Sequence, residues 1–244
     1  MYQEQRLVEI QKFLQEKEQL STKEVMSIFD ISRDTARRDI SLLADRGLVQ
    51  RTHGGIISNK EEQEIASYNQ RLEKFSKEKS QIAKKALEFI EDGQTNFFDV
   101  STIVLKMAQL IDQPCRIYSH SLDNSIMLSS NEKIDFYLIG GKFYRKNRFY
   151  YALNEAEILK NMTFDVAFIG AAGLKDGKVT FQDESDAILK KLILKQTKTK
   201  ILVAESKKFQ QSATYFAADI SEFDYLVTDH SVTNPFSSQI KIIV

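Results

Sequence analysis

Apolar residues recur at Leu7, Ile10, Phe13 and Leu14, then at Val25, Ile28 and Phe29, and again at Ala36, Ile40 and Leu43. Each set has the three-and-four spacing of a helix buried along one stripe. Three helices are therefore predicted, over residues 4–17, over Thr22–Phe29 and from Arg33 onwards. The polar breaks fit this reading. Ser21 and Glu24 have capping-box spacing with Leu20 just before them, and a Ser at the cap with a Glu three residues on closes the first turn of a helix reciprocally. Asp30-Ile31-Ser32 interrupts the pattern, and Ser32 is a cap for the next helix. Two short helices joined by so brief a turn form a helix-turn-helix unit. From Gly47 to Ile57 the chain reads as a helix-ending glycine, a strand, a Gly54-Gly55 turn and a return strand, a two-stranded wing.

Beyond this point the pattern changes. Residues 58–80 are polar and charge-rich and predict a connector that becomes helical towards its end. Strands are predicted at Thr95–Asp99, Arg116–Ser121, Ile134–Ile139, Asp165–Gly170, Lys200–Ala204, Tyr225–Thr228 and Ile240–Val244. Helices are predicted at Lys79–Glu91, Thr102–Ile111, Leu122–Ser130, Asn154–Asn161 and Glu184–Lys198. This alternation predicts an α/β domain, a mostly parallel sheet with helices on both faces, and the doubly apolar strands agree with it. The expected organisation is a winged helix-turn-helix over residues 1–57, a helical linker over 58–80 and an α/β domain over 81–244.

Composition narrows the function classes. The 244 residues are 42% hydrophobic and 28% charged, as a folded globular chain requires. The charged N-terminus lacks the apolar stretch of a signal peptide, and no apolar run reaches the ~20 residues of a membrane span. A cytoplasmic protein without a membrane partner is expected. Cys115 stands alone, and His53, His120 and His230 are scattered, so neither a metal site nor a cofactor is expected. Net charge is zero, with 34 basic and 34 acidic residues, which counts against nucleic-acid binding unless charge gathers locally.

It gathers on the third predicted helix. Between Ser32 and Gly55 there are five arginines and three aspartates. Ala36, Ile40 and Leu43 occupy one face; Asp34, Arg37, Arg38 and Ser41 occupy the other, with Arg33 and Thr35 near the start. Arginine supplies bidentate contacts to guanine edges as well as phosphate contacts, so this is a candidate major-groove face. Arg51, His53, Gly54 and Gly55 place the wing to touch the backbone of double-stranded DNA. A solvated amphipathic helix would show the same arginine density, and the wing tips the balance. The stretch LSTKEVMSIFDISRDTARRDISLLADRGLVQRTHGG resembles the DNA-binding signature of the DeoR family of bacterial sugar-operon repressors.

In the C-terminal half, small and polar residues collect where the predicted strands end: Asp99, Ser101 and Thr102; Ser121; Gly140 and Gly141; Gly170; Glu205 to Lys208; and Asp229. The carboxyl edge of a parallel sheet is where open α/β folds bind ligands, and helix N-termini there favour phosphate. Lys190, Lys208 and Arg145 are candidate charge partners. Each such glycine or serine also fits a tight turn with no ligand. The segments KEKSQIAKKALEFIEDG, LIGG, FDVAFIGAAGL, ILKKLIL, ILVAESKKF and YLVTD resemble the sensor domain of the same family. That resemblance implies a fold related to ribose-5-phosphate isomerase, a sugar-phosphate effector and a homo-oligomer, dimer or tetramer. The chain departs from the family pattern at the phosphate loop, where Asp-Ser-Gly-Thr-Thr is replaced by Asp99-Val100-Ser101-Thr102-Ile103. It departs again where Thr-Asn-Ser becomes Ser119-His120-Ser121, at Phe149-Tyr150-Tyr151-Ala152, where a glycine is expected, and at Glu205 in place of an aspartate. An altered effector and a ligand-free oligomerisation domain both fit these departures. An isomerase-like enzyme is the third reading, with Asp99, Glu184, Glu205 and Asp229 as acid–base candidates. No spacing brings any two of them together, so no catalytic residue is expected.

Overall fold

The computed structural model describes residues 3–17, 19–45, 49–58, 69, 72, 76–152, 154, 157, 159–229 and 240–244. The chain divides into two compact units, Met1–Gln63 and Glu64–Val244.

The first unit runs α1 (Gln3–Lys17), β1 (Gln19–Ser21), α2 (Thr22–Phe29), α3 (Arg33–Asp45), β2 (Val49–Arg51) and β3 (Gly55–Ser58). The stripes bury Leu7, Ile10 and Leu14 of α1, Val25 of α2, and Ala36, Ile40 and Leu43 of α3 in one small core with Leu20, Val49 and Ile56. The capping box forms, with Glu24 N–H donating to Ser21 Oγ at 3.1 Å and Ser21 N–H to Glu24 Oε2 at 2.8 Å. Asp30 ends α2 in the left-handed region, at φ 48°, where a short polar side chain is tolerated. The wing has three strands rather than two, in the order β1-β3-β2. Leu20 is a strand residue paired with Ile56, so its buried side chain serves a sheet as well as a helix start. The expected stop at Gly47 and most of the expected linker, including Tyr68 and Arg71, lie outside the described residues.

The second unit is built on a seven-stranded, wholly parallel sheet in the order β14-β13-β11-β9-β4-β5-β6. Its strands are β4 (Thr95–Phe98), β5 (Cys115–Ser119), β6 (Ile134–Leu138), β9 (Phe164–Ile169), β11 (Thr197–Val203), β13 (Tyr225–Val227) and β14 (Lys241–Ile243). Side chains alternate between two apolar layers. Phe98, Phe168, Ile201 and Val227 pack towards α4 (Lys77–Leu87) and α5 (Thr102–Leu110). Phe97, Ala167, Leu202 and Leu226 pack towards α7 (Glu184–Lys195). A further helix, α6 (Leu122–Leu128), follows β5.

Two small antiparallel pairs were not expected: β7 (Lys142–Tyr144) with β8 (Phe149–Tyr151), and β10 (Lys178–Phe181) with β12 (Tyr215–Asp219). The helix expected to reach Lys198 stops at Lys195, because the β-branched Thr197 and Thr199 already pair with β9. The helix expected over Asn154–Asn161 lies largely outside the described residues. No helix among the described residues is long and apolar enough to cross a membrane.

The strand order reverses between β4 and β9. From β4 the chain runs outward through β5 and β6, then returns to β9 on the other side. Such a reversal opens a crevice at the carboxyl ends of the two central strands.

Candidate functional site

Two sites emerge, one in each unit. In the first, α3 exposes Arg33, Asp34, Arg37 and Arg38. Ser32 caps the helix, its Oγ accepting Thr35 N–H at 3.2 Å. The buried side of α3 carries Asp39, wholly enclosed. Its carboxylate accepts Arg6 Nε at 2.8 Å, Arg6 Nη2 at 3.3 Å and Gln3 Nε2 at 3.0 Å. The wing is tied on from two directions. Arg51 Nη1 donates to Ser41 Oγ at 3.3 Å, and the Gly54 carbonyl accepts both Thr22 N–H at 2.9 Å and Thr22 Oγ1 at 3.1 Å. His53 and Gly54 are exposed. Gly55 is buried: a Cβ there would stand 2.1 Å from the Leu20 carbonyl oxygen, so the close β1–β3 approach requires a glycine at this position.

In the second unit the crevice between β4 and β9 holds Asp99, Gly170, Asp186 and Lys190. Asp99 Oδ2 accepts Gly170 N–H at 2.8 Å, and Oδ1 accepts the amide of Val100. Lys190 Nζ lies 3.0 Å from Asp99 Oδ1 and 2.7 Å from Asp186 Oδ2. Its third direction faces the Phe181 ring, 3.6 Å from the centroid, a favourable cation–π placement. His120 Nε2 reaches Asp186 Oδ1 at 3.0 Å. All four polar residues are buried. Burial pushes the Asp99 carboxyl above its ordinary range, against the pull of Lys190. Burial opposes ionisation of Asp186 too, but the Lys190 charge and the His120 hydrogen bond outweigh it and hold that carboxyl low. Asp99, His120 and Asp186 bring metal-ligand atoms within 4.8 Å of one another, yet the Lys190 ammonium already sits against both carboxylates, where a cation would need to be. The enclosed space beside them is about 30 Å³, room for a water or two, and it opens on one side to solvent.

Family models described as "DeoR-like helix-turn-helix domain" and "DeoR C terminal sensor domain" match residues 6–62 and 74–230. The chain belongs to the DeoR family. It is 35% identical to the HTH-type transcriptional repressor GlcR of Bacillus subtilis, over 97% of this chain and 92% of that one. It is 28% identical to the lactose phosphotransferase system repressor of Lactococcus lactis, over 96% and 93%. It is also 28% identical to the glycerol-3-phosphate regulon repressor of Haemophilus influenzae, over 93% and 90%. A D-ribose-5-phosphate isomerase in complex with phospho-erythronic acid overlaps with a TM-score of 0.40 at 16% identity, covering 54% of this chain and 52% of the other. This DeoR-family protein is a DNA-binding transcription regulator.

For the regulator's pocket, four of nine residues named from sequence line the cavity: Asp99, Ser101, Gly170 and Lys190. Ser101 caps α5 through Val104 N–H and packs against Gly170; Thr102 is buried at the start of that helix. Ser121 caps α6 and bridges to Phe149. Gly140 is exposed after β6, and Gly141, at φ +138°, lies against the Tyr151 backbone. These last two belong to the β7–β8 hairpin, not to the cavity lining. Lys208 sits in a 3₁₀ turn, its Nζ donates to Gln211 Oε1 at 2.8 Å, and it does not line the cavity. Arg145 is exposed on the loop between β7 and β8. The acid–base candidates do not gather either. Glu184 is exposed, Glu205 pairs with Lys207, and Asp229 accepts Ser206 N–H. Sequence reasoning missed Asp186, whose i,i+4 spacing to Lys190 was the available signal, and Asn147 of the hairpin loop, which lines the cavity and donates to Asp183.

Proposed function

We propose that this regulator represses a sugar-utilisation operon in the cytoplasm. Its winged helix binds operator DNA, and a sugar phosphate held at the β4–β9 crevice changes that affinity. Arg33, Thr35, Arg37 and Arg38 enter the major groove with Ser32 and Asp34 at the helix start; Arg51, His53 and Gly54 follow the phosphate backbone. The observation that carries the reading is the exposure of Arg37 and Arg38 on a helix anchored from beneath by Asp39. The repressor names of the relatives support repression, and two of them refer to a phosphorylated compound or a phosphotransferase system. The protein works as a homo-oligomer, without metal or cofactor and without turnover.

A ligand can shift DNA affinity only by binding the competent and incompetent states unequally. The test is capture of genomic DNA fragments by the full-length protein, with and without glucose 6-phosphate, fructose 1-phosphate and glycerol 3-phosphate. Enrichment of a promoter next to sugar-utilisation genes, released by one of these, is expected. Enrichment that none of them alters would favour a second reading, a C-terminal domain that assembles copies without a ligand, which the small volume of the cavity supports.

A further inference from the structure

Lys190 has no N–H to spare. An ammonium has three donors, and here they meet Asp186 at 2.7 Å, Asp99 at 3.0 Å and the Phe181 ring. An anion can take this lysine only by displacing a partner. The two carboxylates are not equivalent in this respect. Asp99 keeps the backbone N–H groups of Val100 and Gly170 when the ammonium turns away. Asp186 lies one helical turn from Lys190 on α7, at the shorter distance, and its other oxygen is held by His120.

The His120 ring is fixed for that task. It stacks on Phe97 at 5.7 Å and 13° and meets Phe149 edge-on at 5.6 Å, and its carbonyl accepts Tyr150 N–H at 2.8 Å. Nδ1 is buried and has no hydrogen-bond partner. In the neutral ring the proton therefore belongs on Nε2, since a bare Nε2 would set its lone pair against a carboxylate oxygen. Without that donor, Oδ1 of Asp186 would be buried and bare, and the nearest remaining cation is Lys190.

We propose that His120 is a positioning residue of this pocket: by holding Asp186 through Oδ1 it keeps that carboxylate satisfied, so that Lys190 can give up Asp99 and present an N–H to an anionic ligand. The inference rests on the reading that the crevice takes an anionic effector, and it assigns a role to the histidine that stands in this chain's Ser119-His120-Ser121 strand end.

The full-length protein is titrated calorimetrically with inorganic phosphate and the three phosphorylated compounds above. His120→Phe keeps an aromatic ring between Phe97 and Phe149 but loses the donor, and should weaken binding roughly tenfold or more. His120→Gln places an amide nitrogen where Nε2 stood and should stay within about threefold of the parent. A Phe variant that binds as the parent does, or a Gln variant as weak as the Phe one, overturns the proposal. Should the Phe variant not fold, the parent protein decides the matter. The ¹⁵N spectrum of His120, one of three histidines, should show the proton on Nε2 with and without ligand; a proton on Nδ1 overturns it. Binding of no anion by the parent would remove the effector reading and this inference together, whereas binding retained by the Phe variant would remove this inference alone.

Discussion

Asp39 holds Arg6 from the side of α3 opposite to Arg37 and Arg38, through two nitrogens at 2.8 and 3.3 Å. The pair is buried in a unit whose core has ten enclosed apolar side chains among the described residues, so no large reserve of packing offsets its loss. Asp39→Ala leaves the guanidinium enclosed without its carboxylate. That should cost about 3–5 kcal/mol, most of the ~5 kcal/mol expected of so small a unit. Hydrogen exchange over residues 3–58 should approach the unfolded rate while the parallel sheet stays protected. The double replacement Arg6→Met with Asp39→Leu should recover most of the stability. A single variant that loses under about 1 kcal/mol would show that the pair does not anchor the helix.

Arg37→Ala and Arg38→Ala touch exposed side chains and should leave stability within about 0.5 kcal/mol. Operator affinity should still fall, and the pattern tells the two kinds of contact apart. A base contact costs about 1–3 kcal/mol and relaxes preference at one position; a phosphate contact lowers the salt slope by about one. Unchanged affinity in both variants at fixed salt would remove the recognition-helix assignment.

The helices of the first unit were legible because their signals are local: a buried stripe, a capping box, a cap at Ser32. Strand β1 was not, since three residues become a strand only by pairing with Ile56 and its neighbours. Asp39 shares a stripe with Ala36 and Leu43, yet nothing nearby in sequence announces a partner 33 residues away. The central sheet was legible from doubly apolar runs, whereas the short pairs β7–β8 and β10–β12 lack a pattern long enough to read. Strand ends brought Asp99 and Gly170 to one crevice, which Lys190 of α7 joins; a strand end does not say where a long side chain turns, and Lys208 reaches Gln211 instead. His120 was read as a loss from the family pattern; its partner Asp186 lies 66 residues on.

Ser101 and Gly170 should be energetically coupled. A Cβ at position 170 would stand 2.5 Å from Ser101 Cβ, so Gly170→Ala should destabilise by about 1–3 kcal/mol. Ser101→Gly alone should cost only a few tenths of a kcal/mol, as for other caps replaced by glycine. The double variant should be clearly more stable than the sum of the two, which a denaturant-melt cycle measures. Strict additivity would mean that the strand end and the loop do not meet in solution.

Asp165 should help set the acid limit of the parallel sheet. Its carboxyl is held below the ordinary 3.8 by the Lys198 ammonium at 2.8 Å and by Thr95 N–H at 2.9 Å. A carboxyl lowered on folding stabilises above its unfolded value and ceases to do so as pH falls through its folded one. Asp165→Asn should therefore lower Tm at neutral pH and flatten its decline as pH falls below the ordinary carboxylate range. Parallel curves for the two proteins would dismiss the contribution. Asp186 and Asp229, held low as well, keep the flattening partial.

The amide of Gly170 closes on the carboxylate of Asp99 across 71 positions of chain. During synthesis the unit Met1–Gln63 leaves the ribosome complete, held by contacts within its own span, while β4 still waits for β9, a neighbour not yet made. Contacts of such separation form late, because the loop between them must be closed first. The reader of DNA is thus finished before the device that governs it, and a message cut short between β4 and β9 would yield a binder deaf to its signal.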